Sequence, residues 1–454
     1  MIKLPNNVKY IIRRFEENGY EAYAVGGCVR DSLLNREPKD WDIATNATPN
    51  EMRTVFTHLV PTGEKYGTMT LVLKDENNNQ NMYEITAYRQ DSSYSDGRRP
   101  DNVSFSKTLH DDMSRRDFTV NAMAYNERDG LIDMFSGAED LRNGVIRCVG
   151  NPEERFCEDA LRTMRAVRFA MRYNFAIEDK TLLAVRKYLP RLDVIARERI
   201  RAELCEMLLA LSLENRRYFD IIVRQVLPLL WECRKCIQNN PHHIYDVYEH
   251  TIHAVAETPP VLHLRLAMLL HDIGKPACKS TDENGVDHFY KHPLKSKEIA
   301  HGILNELRFD NETKQKTLIL IEHHDRDNHS VPPSRRVVAR ILRDLGEELT
   351  EDLFKIKTAD CLAQNPEYVQ PKLDALAEAR DLAAKIKADS ECFSIKDLAL
   401  DGRDLIELGY SGAEIGRLLN ACMEFVLDNP DKNTKDDLVE FIRKNAAENG
   451  SKQL

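Results

Sequence analysis

Asp40 and Asp42 stand on either side of a single residue, Trp41. On an extended segment side chains alternate, so carboxylates at i and i+2 point to one face. Two such charges a few ångströms apart repel each other unless a cation lies between them. Mg2+ takes oxygen ligands: one or two carboxylates, with substrate phosphate and water filling the rest. Glu84, in "NMYEITAYR", offers a third carboxylate from a second predicted strand that can pair alongside. Such a set suits two-metal stabilisation of in-line attack at phosphorus. Upstream, "YAVGGCVRD" puts Gly26 and Gly27 at a strand end, where backbone N–H groups can meet a triphosphate.

A second chemistry sits in "RFCEDALRTMRAVRFA", Arg155 to Ala170. On a helix Asp159 and Arg162 are three apart and share a face. A carboxylate only accepts hydrogen bonds and a guanidinium only donates them. Cytosine and adenine each show an amino donor beside an unprotonated ring nitrogen. Uracil and guanine show a carbonyl beside a protonated one. An Asp–Arg pair therefore fits C and A and misfits U and G, which is base-edge readout applied to a free nucleotide.

The histidines carry a third signal. Twelve of the fourteen fall between His242 and His329. Six of them occur in "EHTIHAV", "LLHDIGKP", "YKHPLKS" and "IEHHDRD", followed by "TADCLAQNP". An adjacent His-Asp, with a His upstream and an Asp downstream, can gather imidazoles and carboxylates around a metal from separate helices.

These groups need elements to position them. In the first ~145 residues short strand-like runs alternate with helical ones. "EAYAVGG" and "DWDIAT" read as strands with the helical turn "CVRDSLLN" between them, and "MTLVLKD" and "NMYEITAYR" as a hairpin. From about Glu153 onward the period is helical. The pattern predicts a small α+β head on a long helical body. Net charge is −10 over 454 residues, which argues against a wholly basic nucleic-acid binder. From Arg142 to Arg224, however, 17 Lys/Arg face 12 Asp/Glu, a local stripe suited to a phosphate backbone. No apolar run approaches the roughly 18 residues of a membrane helix. Ten scattered cysteines fit a reducing cytosol. The one CxxC, Cys233 to Cys236, lacks a second ligand pair and is not read as a zinc site.

"GGCVRD…DWDIAT", followed by "RRDFTVNAMAYN" (Arg115 to Asn126) and by "EDALR", resembles the class II tRNA CCA-adding enzymes and bacterial poly(A) polymerases. The resemblance implies an α+β fold: a small mixed-sheet nucleotidyltransferase head, then an elongated all-α neck, HD body and tail. It implies segments 1–148 (head), 149–225 (neck, base recognition and RNA binding), 226–375 (HD-type) and 376–454 (tRNA-binding tail). Asp40 and Asp42 would bind catalytic Mg2+, with Glu84 as third carboxylate. Gly26, Gly27 and Arg30 would contact the triphosphate. Asp117, with Arg116 beside it, would accept from the ribose 2′-OH. Asp159 and Arg162, supported by Glu158, would choose the base. "RERIRAEL" (Arg197 to Leu204) would brace the neck.

The histidine segment resembles HD phosphohydrolases. His250, His271, Asp272 and Asp360 would be the basic ligand set. His292 and His323, or His324 in its place, would extend it to two metals such as Mn2+, Ni2+ or Co2+. Lys275 would meet a substrate phosphate. The expected activity is template-independent addition of C, C and A to tRNA from CTP and ATP in the cytoplasm, without membrane or DNA. A phosphatase or 2′,3′-cyclic phosphodiesterase would be a second activity. "YRQDSSYSDGRRPDNVSF" resembles the flexible loop of full CCA enzymes. Alternatives are a poly(A) polymerase, a partial CC- or A-adding enzyme, or a hydrolase with an RNA-binding head.

Overall fold

The computed structural model describes residues 2–74, 78–91, 103–326, 333–388 and 395–450. The loop expected between Tyr88 and Phe105 thus lies largely outside the described residues. The chain forms two compact units, Met1–Pro228 with Glu306–Arg308, and Leu229–Asn305 with Phe309–Leu454.

The first unit opens with α1 (Asn6–Glu17), whose Val8, Ile11, Ile12 and Phe15 form one buried stripe at helical spacing. Then follow β1 (Ala22–Val25), α2 (Gly27–Leu33), β2 (Ile43–Thr45), α3 (Pro49–Val55), β3 (Leu59–Gly63), β4 (Thr68–Lys74) and β5 (Gln80–Ala87). Next come β6 (Arg89–Asp91), β7 (Val103–Phe105), α4 (Leu109–Ser114), β8 (Met123–Asn126), β9 (Gly130–Asp133), α5 (Gly137–Asn143) and β10 (Val145–Ile146). The unit continues with α6 (Pro152–Glu158), α7 (Leu161–Tyr173), β11 (Ala176–Ile177), α8 (Asp179–Tyr188), α9 (Arg197–Ala210) and α10 (Arg216–Val226).

The main sheet runs β3-β4-β5-β2-β1-β8-β9. It is mixed: β2 pairs parallel with β5 and every other neighbour is antiparallel. All four residues of the interior strand β1 are buried, and the small Ala22 and Ala24 let neighbouring layers approach. Tyr23, Val25, Ala44, Tyr88, Met113 and Ala124 make a core cluster there. The expected hairpin is β4 and β5. The expected strand "DWDIAT" is shorter than its pattern, because the regular ladder begins at Ile43, just after Asp42. The two-residue pair β10–β11 lies beyond the last strand signal and is too short to leave a period.

From Leu229 the described chain is helical apart from one small hairpin. Its elements are α11 (Pro228–Glu232), α12 (Val247–Glu257), α13 (Leu262–Leu270), α14 (Lys275–Cys278), β12 (Ser280–Thr281), β13 (Asp287–His288), α15 (His292–Glu306) and α16 (Asn311–His323). They are followed by α17 (Arg335–Leu362), α18 (Pro366–Ala388), α19 (Gly402–Glu407), α20 (Ala413–Asp428) and α21 (Lys435–Gly450). Every residue from Leu264 to Leu270 on α13 is buried, so this helix has no solvent face there. A single core cluster joins Val338 and Phe354 of α17 to Leu405, Met423 and Leu438 of the C-terminal helices.

Glu424 on α20 fastens that packing, accepting from Arg340 and Arg343 on α17 with Arg336 at 3.4 Å. Partial burial opposes ionisation, but the bonds from Arg340 and Arg343 hold the carboxyl down at about 2. The Glu424 side chain keeps 35% exposure, so Glu424→Gln is expected to cost only about 1 kcal/mol or less at neutral pH. A depressed folded pKa gives stability that is full above the unfolded value near 4.5 and lost as pH falls towards about 2. Urea midpoints of parent and variant should therefore differ at pH 7 and converge near pH 2. An equal difference at both pH values would assign the loss to packing instead.

Candidate active sites

In the first unit, Asp40 and Asp42 are exposed and lie just before β2. Asp42 O accepts from Val25 N at 3.0 Å, so the chain there is already held against β1. The parallel register Ile43↔Ile85 brings the residues just before them, Asp42 and Glu84, side by side. Glu84 is exposed between buried Tyr83 and Ile85. Desolvation raises the Asp42 carboxyl, and the charges of Glu84 and Asp40 raise it further against the pull of Arg116. That is the electrostatic sign of a site lacking positive charge. Among the described residues these three carboxylates do not close to within 4.8 Å as a triad.

Gly26 caps α2 with φ 78°, ψ −125°. Only glycine takes that conformation readily, and a Cβ there would meet Arg116 Nη1 at 2.5 Å. Arg116 thus lies over Gly26, and Arg30 is the side chain facing Gly27. Arg116 is steadied by the fully buried Asp112 at 3.3 Å, and its Nε is buried with no hydrogen-bond partner. An orphaned guanidinium donor beside Gly26 is a fitting seat for phosphate. Arg30 is placed otherwise than expected. It is buried, donates to Asn121 and to Asp31, and stacks on the rings of Phe169 and Tyr173. It ties α2 to α7, and its position does not support the triphosphate contact.

Asp117 is buried, and its four lone-pair directions are met by Phe118 N, Asn121 Nδ2, Arg165 Nε and Arg165 Nη2, at 2.6 to 3.0 Å. Burial alone would raise this carboxyl; Arg165, Asn121 and the charge of Arg162 hold it well below the carboxylate range. Its ion pair is with Arg165, not with its neighbour Arg116. Asp117 lines a cavity of about 310 Å3 with Arg115, Arg116, Asp159, Arg162, Arg165 and Arg199.

The expected helical Asp159–Arg162 pair does not exist as such. α6 ends at Glu158, Asp159 is extended (φ −140°, ψ 106°), and α7 begins at Leu161. The Asp159 carboxylate caps α7 by accepting from Leu161 N at 3.0 Å, and accepts from Arg199 Nη2 at 2.7 Å. Arg162 donates instead to Glu158 at 2.8 Å and to Arg115 O at 3.0 Å. Both still face the same cavity. Much of the basic surplus expected as an RNA stripe serves inside the unit: Arg147 pairs with Asp140, Arg155 with Glu158, Arg168 with Glu203.

In the second unit the histidines converge. His250 Nε2 is 2.8 Å from Asp360 Oδ1, and His271 Nε2 is 3.2 Å from Asp272 and 3.5 Å from Asp360. His292 Nε2 lies 3.2 Å from both Asp272 Oδ1 and His324 Nε2. Each ring is aimed by its Nδ1, which donates to a backbone carbonyl: Ala363, Met268, Phe289 and Ile321 in turn. This fixes Nε2 as the inward nitrogen, the arrangement that orients imidazole ligands. Two ligand groups result, His250–His271–Asp360 and His271–Asp272–His324, sharing His271. His271 Nε2 and both Asp272 oxygens are buried without a hydrogen-bond partner. Orphaned donor atoms of this kind fit a divalent cation. His324 is the member of the His323–His324 pair that joins the cluster, so the assignment of His323 is corrected. As neighbours at the end of one helix they point apart, and His324 is the buried one.

Burial would lower His271, but Asp272 and Asp360 push it up to about 10. Lys275 Nζ lies 2.7 Å from Asp272 and 2.8 Å from Gln238 Oε1. The HD turn is tight because Gly274 abuts α15: a Cβ there would sit 2.5 Å from Ser296 N. Asp272, His292, His324 and Asp360 open into a cavity of about 550 Å3, with Lys275, Lys291 and Lys372 also on its walls.

Three families match the chain in order. They are the poly A polymerase head domain over residues 22–147, the probable RNA and SrmB-binding site of polymerase A over 174–214, and the HD domain over 242–364. The CCA-adding enzyme of Limosilactobacillus reuteri (strain DSM 20016) is 49% identical over 199 residues, 44% of this chain and 48% of that protein. The alignment thus spans about half the length of that relative. The CCA-adding enzyme of Lactobacillus helveticus (strain DPC 4571) is 32% identical over 433 residues, 95% of each chain. The chain belongs to the CCA-adding enzyme family. The crystal structure of the Bacillus stearothermophilus CCA-adding enzyme in complex with CTP superposes with a TM-score of 0.72 at 25% identity, over 99% of this chain and 100% of that one. The Thermotoga maritima CCA-adding enzyme complexed with tRNA shares the fold, with a TM-score of 0.56 at 20% identity over 97% of this chain and 95% of that one.

Within this CCA-adding family member, Arg115, Leu161, Arg165 and Arg199 are the pocket residues that sequence reasoning missed. Arg165 had a signal, since it lies three residues after Arg162 on one helix face. Arg199 had none beyond its place in a segment read as bracing. The corrected ligand choice is testable by equilibrium titration with Ni2+ or Mn2+. His324→Ala should weaken uptake at the HD site by at least about tenfold, and His323→Ala should leave it near parent. The reverse order would overturn the assignment.

Proposed function

We propose that this chain adds C, C and A to the 3′ end of tRNA from CTP and ATP. The observation that carries this reading is the cavity where Arg116 and Asp117 of the head meet Asp159, Arg162, Arg165 and Arg199 of the following helices. It offers carboxylate and guanidinium groups for a base edge, close to a glycine pair and a patch of carboxylates. The tRNA 3′-oxygen attacks the α-phosphorus, the bond to the bridging oxygen breaks, and pyrophosphate leaves. Mg2+ at Asp40, Asp42 and Glu84 would polarise the attacked phosphate and lower the charge on the attacking oxygen. The Gly27 N–H and the orphaned Arg116 Nε take the triphosphate, while Gly26, whose own N–H is bonded to Met123 O, serves by the close approach its backbone allows. Asp117 shapes the ribose side by holding Arg165, and a 2′-hydroxyl would have to replace one of its four present donors. Asp159 accepts from the amino group of C or A and Arg162 donates to the ring nitrogen, with Glu158 steadying Arg162.

The four segments 1–148, 149–225, 226–375 and 376–454 then serve as catalytic head, base-reading neck, HD-type domain and tRNA-binding tail, in a cytoplasmic enzyme. A second reading is favoured by the convergent Nε2 atoms: the HD site hydrolyses a phosphoester using a transition metal such as Mn2+, Ni2+ or Co2+. Water oxygen bonds to phosphorus, the ester P–O bond breaks, and the leaving alcohol takes a proton. Lys275 would hold a phosphate oxygen.

The test is incubation with tRNA ending at the discriminator base, giving each labelled nucleotide separately and then together. C should be added from CTP alone, and A only when CTP is also present. Asp40→Ala and Asp42→Ala should abolish addition while tRNA binding stays near parent. Addition near the parent rate in both variants would refute the assignment. On the same preparations, His271→Ala with Asp272→Ala should remove phosphoester hydrolysis and spare CCA addition, provided the thermal melt is unchanged.

A further inference from the structure

Asp117 cannot accept from a substrate as it stands. Phe118 N and Asn121 Nδ2 both donate to its Oδ1, at 2.9 and 3.0 Å. Neither donor can leave: one is buried backbone, and Asn121 is itself buried and pinned by Arg30, whose guanidinium donates to its Oδ1. Among the described residues Oδ2 is held by Arg165 alone, through Nε at 2.8 Å and Nη2 at 2.6 Å. A hydroxyl that donates to Asp117 must therefore take the place of Arg165.

Arg165 has a second place to pair. Its third nitrogen, Nη1, lies 3.8 Å from Glu203 Oε1 on α9. Glu203 is buried, and its other oxygen accepts from Arg168 Nε at 2.6 Å. At 3.8 Å Oε1 is beyond hydrogen-bond range, and a shift of about 1 Å closes the gap. The Arg165 side chain is only half-buried and lines the cavity, so it has room for that shift. The guanidinium thus has a carboxylate on either side, one bonded and one within reach. An exchange leaves no charge unpaired: the hydroxyl donates to Asp117 Oδ2, and Arg165 bonds to Glu203. A deoxyribose brings no such donor. Displacing Arg165 would then strand a buried carboxylate oxygen, which costs more than an ordinary hydrogen bond returns.

We propose that the 2′-hydroxyl of a ribonucleotide displaces Arg165 from Asp117 Oδ2 and that Glu203 receives the displaced guanidinium, which makes Glu203 a positioning residue for the choice of ribose over deoxyribose. This rests on the nucleotide reading of the cavity and deepens it. Glu203 touches no substrate and acts only through Arg165.

The experiment uses the full chain with Mg2+ and tRNA ending at the discriminator base, and compares CTP with 2′-deoxy-CTP. The parent should prefer CTP. Glu203→Gln should raise the KM for CTP about tenfold, because the displaced guanidinium then gains no charged partner, while kcat and the KM for 2′-deoxy-CTP stay near parent. Arg168→Gln breaks the other pairing of Glu203 without touching Arg165, so its preference should match the parent's. A fall like that of Glu203→Gln would mean that Glu203 only braces α9, and would overturn the proposal. In an Arg165→Lys background, which lacks the forked donor, adding Glu203→Gln should change the preference no further. An equal fall in both backgrounds, an unchanged preference in Glu203→Gln, or no preference in the parent also overturns it. If Glu203→Gln melts below the parent, Glu203→Asp, whose carboxylate stops one methylene short of Arg165, takes its place with the same expectation. If the parent adds neither nucleotide, the functional reading fails by itself. Equilibrium binding then decides: a preference for CTP that Glu203→Gln loses supports the exchange, and an unchanged one overturns it.

Discussion

The ion pair between buried Asp117 and half-buried Arg165 is the constraint on which the cavity of the first unit depends. Asp117 follows α4 in the head, and Arg165 lies in the middle of α7. A carboxylate this deep is tolerated only when fully partnered; because the Arg165 side chain keeps 35% exposure, breaking this pair costs less than the roughly 3–5 kcal/mol typical of a fully buried one. Each partner leads on to others. Asn121, which donates to Asp117, accepts from Arg30, and Arg30 stacks on α7. Arg165 also approaches Glu203 on α9, which holds Arg168. Arg199, on the same helix α9, fixes Asp159. Asp159, the carboxylate proposed to read the base, is therefore oriented from a helix, α9, that is itself tied by charge to Arg165.

The HD site is held by a different device with the same result. Each imidazole is aimed by its own backbone carbonyl, so the donor atoms converge before any cation arrives. The Asp272 oxygens are buried with the Lys275 ammonium and imidazoles at 2.7 to 3.2 Å but with no hydrogen bond, which leaves them under-satisfied. Such a cluster is retained where a ligand relieves it. Head and HD site therefore differ in ligand chemistry, oxygen-only against mixed nitrogen and oxygen, and so call for different ions.

Much of this was legible in the sequence, for identifiable reasons. Alternation exposed β4 and β5 and gave Glu84 its face. The clustering of histidines marked the second site without any knowledge of its fold. What failed was local continuity. The run around "EDALR" reads as one helix because its composition suits one, yet Asp159 leaves the helix to cap the next. That changes its partner from Arg162 to Arg199, forty residues on in the sequence, a contact no helical period contains. Arg30 sits in a phosphate-like motif, but its burial was set by aromatic rings more than a hundred residues away. Between His323 and His324 the sequence offered no choice at all; helix phase at a helix end decided it.

The central claim is that protein side chains, with no nucleic-acid template, select the base. The most direct measurement is incorporation by Asp159→Ala on tRNA lacking its 3′ end, scoring UTP and GTP against CTP and ATP. Losing a good bidentate partner removes about 1–3 kcal/mol of discrimination, roughly 5- to 150-fold. The account predicts a rise in U and G misincorporation of that order, with the melt of the variant near that of the parent. Unchanged selectivity in a folded, active Asp159→Ala would contradict it.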